Sequence, residues 1–100
     1  GLPEGGEAKG KLVTDSPASQ VFLYVENAAG QVIQTVPVGN VDAGEYPFTW
    51  NGEDSDGERA PEGAYRFRIY GMVEGQKSEL FESFIKYFPD GQLIEIKKEE

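Results

Sequence analysis

The 100-residue chain reads as a single all-β domain of the sandwich type, on three observations. Tyr46, Phe48 and Trp50 alternate with Pro47 and Thr49, and Tyr65, Phe67 and Ile69 alternate with Arg66, Arg68 and Tyr70. Alternation with a period of 2 is the mark of a half-buried strand. No stretch repeats its apolar residues at the helical period, and the apolar runs are short and separated by Gly, Pro and Asn clusters. Roughly six or seven short strands with such turns between them predict a β-sandwich.

Residues 1–10, rich in Gly and Glu, are expected to form a flexible linker or a fragment end, and a start without Met fits a piece of a longer protein. Lys11-Leu12-Val13 opens the strands. Val21 to Val25 is a continuous apolar run that suits a strand buried on both faces, with Val21, Leu23 and Val25 directed into the core. Asn27-Ala28-Ala29-Gly30 is a turn, and Gln31 to Val36 is a second strand anchored by Val32 and Ile33. A connection over Gly39 to Gly44 leads to the aromatic strand ending at Trp50. Leu80 to Phe88 is a further strand, with Phe81, Ile85 and Tyr87 on one face and Leu80 and Phe84 on the other. Pro89-Asp90-Gly91 turns the chain into a last strand, Gln92 to Ile96.

The loop between Trp50 and Tyr65 is a long hairpin connection built on Asn51, Gly52, Asp54, Gly57, Pro61 and Gly63. Asn, Asp and Gly bond their own backbone or tolerate left-handed conformations, so Gly52 and Gly57 are expected to need backbone freedom. Glu53, Asp54, Asp56 and Glu58 also raise a calcium loop, since calcium takes several oxygen ligands from a flexible turn. The register of a calcium loop and its closing bidentate Glu are missing, and Asx-turn chemistry accounts for the same residues without a metal. Trp50 could serve as a sugar-stacking platform, but Phe48 on the same strand face argues for a core anchor. The expected core is Val21, Leu23, Val25, Phe48, Trp50, Tyr65, Phe67 and Ile69.

The net charge of −9 repels polyanions, which argues against nucleic acid and an anionic membrane surface as partners. With no Cys and no His, the chain has no disulfides, no thiol chemistry, none of the usual zinc ligands and no imidazole base. No apolar run approaches the ~18–20 residues of a membrane helix. The N-terminus lacks the apolar segment of a signal peptide. No activated nucleophile or phosphate-cradling loop is present, and no carboxylate pair stands out from the eighteen acids. No enzyme activity and no cofactor is expected.

Ala18-Ser19-Gln20-Val21, the pattern from Val21 to Thr35, and Ala43-Gly44 before Phe48-Thr49-Trp50-Asn51-Gly52 resemble the C-terminal half of the flagellar hook-capping family. Asp54, Gly57, Pro61, Gly63 and Tyr65 follow at the spacing of that family. The resemblance covers roughly residues 10–96. It implies an immunoglobulin- or fibronectin type III-like sandwich over 11–78, inserted in a Tudor-like barrel, with 79–100 supplying strands of that partial second barrel. It also implies a non-catalytic scaffold at the flagellar hook, exported to the growing tip, whose partners are hook subunits and other copies of the cap protein. Tyr24 and Tyr70, with Phe22, lie on the outward faces of their strands and form the candidate partner surface, or are covered by a neighbouring barrel. Similar modules occur in secreted and surface proteins of bacteria, so an accessory binding or sorting module is the alternative.

Overall fold

Seven strands build the computed structural model, which describes residues 6–99. They are β1 (Ala8–Thr14), β2 (Ala18–Asn27), β3 (Val32–Val41), β4 (Gly44–Trp50), β5 (Gly63–Val73), β6 (Gln76–Tyr87) and β7 (Ile94–Ile96). One sheet has the order β4-β1-β7 and the other the order β3-β2-β5-β6. All neighbours are antiparallel except β1 and β7, the first and last strands, which run parallel with Ala8 opposite Ile94. The two sheets face each other and bury alternate residues of each strand, as aligned sandwiches do.

Leu23 shows how the register builds the core. It lies opposite Val36 on one side and Ile69 on the other, and Ile69 lies opposite Phe81. Val21, Leu23, Val25, Phe67 and Ile69 are fully buried, and Tyr65, Phe48 and Trp50 are buried with them. Phe48 closes the core from the smaller sheet, its ring centroid 5.2 Å from that of Phe81. Gly10 lies opposite Phe48, and a Cβ on Gly10 would run into the Phe48 ring, so the ring takes the space a β1 side chain would fill.

Four sequence expectations differ from this arrangement. Part of the expected linker at 1–10 is structural, because Ala8 to Gly10 belong to β1 and Ala8 is fully buried; residues 1–5 lie outside the described residues. The expected boundary at 78/79 falls inside β6. That strand pairs with β5 along its whole length, and Phe81, Ser83 and Tyr87 are buried in the same core, so residues 79–96 complete the sandwich instead of adding strands of a second barrel. The connection expected over Gly39 to Gly44 is mostly strand, since β3 runs on through Pro37 to Val41. Proline is tolerated there because β3 is an edge strand and its missing N–H costs no ladder bond. Val32 is 52% exposed rather than an anchor. A bulge between Val25 and Glu26 places Val32 opposite the outward Glu26, while Ile33 stays packed against the core.

Candidate interaction surface

The hairpin loop after Trp50 is held by the groups its sequence offers. Asn51 Oδ1 accepts the Glu53 N–H at 3.0 Å, and Asp54 Oδ1 accepts the N–H groups of Asp56 and Glu58 at 2.9 and 3.0 Å. The Trp50 indole donates to the Glu53 carbonyl at 2.9 Å, so the ring is buried without leaving its N–H unpaired. At the far end, the Tyr65 hydroxyl donates to the Pro61 carbonyl at 2.6 Å, a tether like the tyrosine corner of immunoglobulin-type sandwiches. Burial, and then the neighbouring Tyr87, push the Tyr65 phenol pKa above its usual 10.0.

Gly52 and Gly57 have φ of 82° and 81°, in the left-handed region. Around Gly52 the space is also full. A Cβ there would collide with the Tyr87 hydroxyl and come within 2.6 Å of the Gly6 carbonyl. Arg59 donates to the Asn51 carbonyl at 2.8 Å, and the Tyr87 hydroxyl donates to Gly6 at 3.2 Å. This node joins the start of the chain, the loop and the end of β6. Its oxygens go to protein donors, and among the described residues no group of three or more acids or other ligating side chains is placed to hold a metal ion.

The outward face of the larger sheet is the other distinctive surface. Phe22 and Tyr24 project from β2 and Tyr70 from β5; the Tyr24 and Tyr70 rings lie 6.0 Å apart, edge to face. Both tyrosines are half-buried. Arg68 and Lys77 sit over the Tyr70 ring at 4.9 and 5.0 Å, and the Tyr70 hydroxyl donates to Glu79 at 2.7 Å. A shallow hollow of about 200 Å³ opens between Gln20, Phe22, Tyr24, Tyr70, Met72 and Lys77. Its rim is shaped by a bulge in β2, where Gln20 takes a φ of 52° and its N–H reaches Asn40 Oδ1 at 3.3 Å. A non-glycine residue in that region costs about 1–2 kcal/mol.

Beyond the tyrosines the same face carries a ladder of charge. Arg66 donates to Glu82 at 2.8 Å through Nε, Arg68 to Glu79 at 2.8 Å, and both approach Glu26. The Glu82 hydrogen bond is the main reason the Arg66 pKa is raised above its ordinary value. These partly exposed pairs are screened by solvent, so the ladder orders the surface more than it stabilises the fold. Alternation along β5 had placed Arg66 and Arg68 opposite the core residues, but their partners on β2 and β6 depend on strand pairing that is absent from the sequence pattern.

Residues 2–75 match the family described as FlgD Ig-like domain. The chain belongs to that family. Among curated relatives it is 36% identical over 53 residues to the basal-body rod modification protein FlgD of Salmonella typhimurium, covering 53% of this chain and 23% of that protein. The Escherichia coli FlgD is 32% identical over 72 residues, covering 64% of this chain and 31% of that protein. Solved FlgD structures superpose on the fold. That from Pseudomonas aeruginosa gives a TM-score of 0.70 at 28% identity, over 79% of this chain and 59% of its own. That from Xanthomonas campestris, described for insights into hook capping essential for flagellar assembly, gives 0.67 at 30% identity, over 82% and 58%. The chain thus spans less than a third of these curated FlgD proteins and under two-thirds of the Pseudomonas and Xanthomonas FlgD chains.

Proposed function

We propose that this FlgD Ig-like domain is a non-catalytic scaffold of the flagellar hook cap, assisting the assembly of hook subunits at the distal tip. The observation that carries the reading is the family match over residues 2–75, together with the superposition on a FlgD described for hook capping. On this reading its partners are hook subunits and other copies of the cap protein, outside the cell at the growing tip. The aromatic face around Tyr24 and Tyr70 is the docking surface. It combines half-exposed rings with ordered charges, the composition of a reversible interface rather than an obligate one. A cap that must later be released needs contacts of modest area and polar character.

One observation favours a second reading, an accessory or sorting module of a secreted or surface protein. β6 and β7 close both sheets from within this chain, as a self-contained module would.

The deciding experiment removes the sandwich from the full-length protein and measures its export, hook length and swimming. The scaffold reading expects export to persist while hooks become short or irregular. A milder defect is expected from Tyr24→Ala with Tyr70→Ala. Normal hooks and full swimming in the deletion strain would overturn the scaffold reading and leave the accessory module.

A further inference from the structure

Among the outward-facing parts of the smaller sheet, a groove of about 470 Å³ is bordered by Lys9 and Lys11 of β1, Pro47 of β4, Glu95 of β7, and Lys97 and Lys98. Alternation explains its composition: Ala8, Leu12 and Ile96 point into the core, which leaves Lys9, Lys11 and Glu95 outside. The groove gathers four of the nine cationic side chains of a chain whose net charge is −9. Lys11 pairs with Glu45 at 3.2 Å, while Lys9, Lys97 and Lys98 have no ion pair among the described residues. A groove with one lining carboxylate, Glu95, against three lysines that make no ion pair among the described residues fits an acidic protein segment.

The same chain carries a segment of that chemistry in a different place. Glu53 and Arg59 bridge the base of the loop, and its tip, Ser55 to Glu58, is exposed. The loop cannot reach its own groove. Ser55 N–H donates to the Ile33 carbonyl at 2.8 Å, and the Gln34 amide donates to the Asp54 carbonyl at 3.0 Å, which pins the loop to β3 of the opposite sheet. We infer that the lysine groove of one copy receives the acidic loop at 53–58 of a second copy, head to tail. The contact rests on the cap reading only for its place at the hook tip.

The whole-molecule charges of two copies repel. Salt confines that repulsion to a range of about 8 Å at physiological ionic strength, so local complementarity decides the contact. A contact of this kind is weak, reversible and salt-sensitive. It is also heterologous, because each copy offers a groove to one neighbour and a loop to another, and it propagates into a ring or a row.

Sedimentation equilibrium of the 100-residue chain at rising concentration, in low and in high salt, tests it, with two charge-reversed variants. Lys97→Glu with Lys98→Glu reverses the groove. Asp56→Lys with Glu58→Lys reverses the loop and spares Asp54, whose side chain holds the loop together. Circular dichroism checks that both remain folded. Self-association of the native chain should fall with salt, and each variant alone should weaken it by at least about tenfold. An equimolar mixture of the two should associate again, since each groove then meets a loop of opposite sign although both variants stay net negative. A native chain that stays monomeric at millimolar concentration would overturn the inference. So would variants that associate as the native chain does, or a mixture that remains monomeric. Binding of poly-glutamate without self-association would replace the second copy with another acidic protein. Normal hooks in the deletion strain, with self-association of the purified chain intact, would remove the cap reading and leave the contact standing.

Discussion

The rings of Trp50 and Tyr87 lie 4.8 Å apart, one on the three-stranded sheet and the other at the end of β6 on the four-stranded sheet. Trp50 also meets Tyr65 at 5.3 Å and Phe67 at 5.5 Å, so one indole touches three aromatic rings of the opposite sheet. Replacing Trp50 by Ala should cost about 3–5 kcal/mol, the range for truncating a large buried aromatic. Chemical denaturation would measure the loss. Native fluorescence should be blue-shifted and resistant to iodide; emission like that of free tryptophan would show the ring to be exposed.

The two loop glycines should respond unequally to alanine. At Gly57 a Cβ would meet only Glu53 Oε1, at an ordinary contact distance of 3.9 Å, so the left-handed backbone alone resists and Ala should cost about 1 kcal/mol. Gly52→Ala must also displace Tyr87, Gly6 or Arg59 and should be clearly the worse of the two. Melting temperatures of the two variants would give the order, and equal losses would remove the role assigned to the node.

Alkaline stability should report on Tyr65. Its phenol is held neutral in the folded protein beyond its ordinary pKa of 10.0. The neutral form is therefore favoured by folding, and that stabilisation is complete below about pH 10.0 and is lost as pH rises through the higher folded value. Tyr65→Phe should lower stability near neutral pH by about 1 kcal/mol through loss of the Pro61 hydrogen bond. It should also flatten the decline above pH 10.0. An unchanged alkaline slope would assign that decline to other groups.

Calcium should leave the melting temperature unchanged. Asn51 and Asp54 spend side-chain oxygen on backbone N–H groups of their own loop. A rise in millimolar calcium that disappears in Asp54→Ala would show preferential binding to the native state and contradict this.

The inward residues of β2, β4 and β5 were legible because Val21, Leu23, Val25, Phe48, Trp50, Tyr65, Phe67 and Ile69 keep an unbroken alternation that strand geometry demands. Tyr24 and Tyr70 were placed outward by the same rule, while their approach to each other required the pairing of β2 with β5. Val32 was misjudged because a bulge shifts the alternation by one residue without leaving a mark in the apolar pattern. The family likeness led residues 79–100 toward a second barrel, although Phe81, Ser83 and Tyr87 alternate as a core strand does. The lysine groove was hidden for another reason: its charges come from opposite ends of the chain, and only the pairing of β1 with β7 brings them together.

That parallel pairing also fixes how the domain carries load. Tension applied through the segments before Ala8 and after Ile96 pulls β1 and β7 along their own lengths in opposite directions. Their shared hydrogen bonds then strain together instead of opening one at a time, as they would in a hairpin held by its two free ends. The hydrogen bond from Gly6 N–H to the Pro89 carbonyl lies at the same join and takes part of the strain. A module tethered at both ends therefore resists stretching with a short clasp of backbone bonds; its aromatic face stays clear of the line of force, while the lysine groove, built on β1, β7 and the segment after Ile96, lies along it.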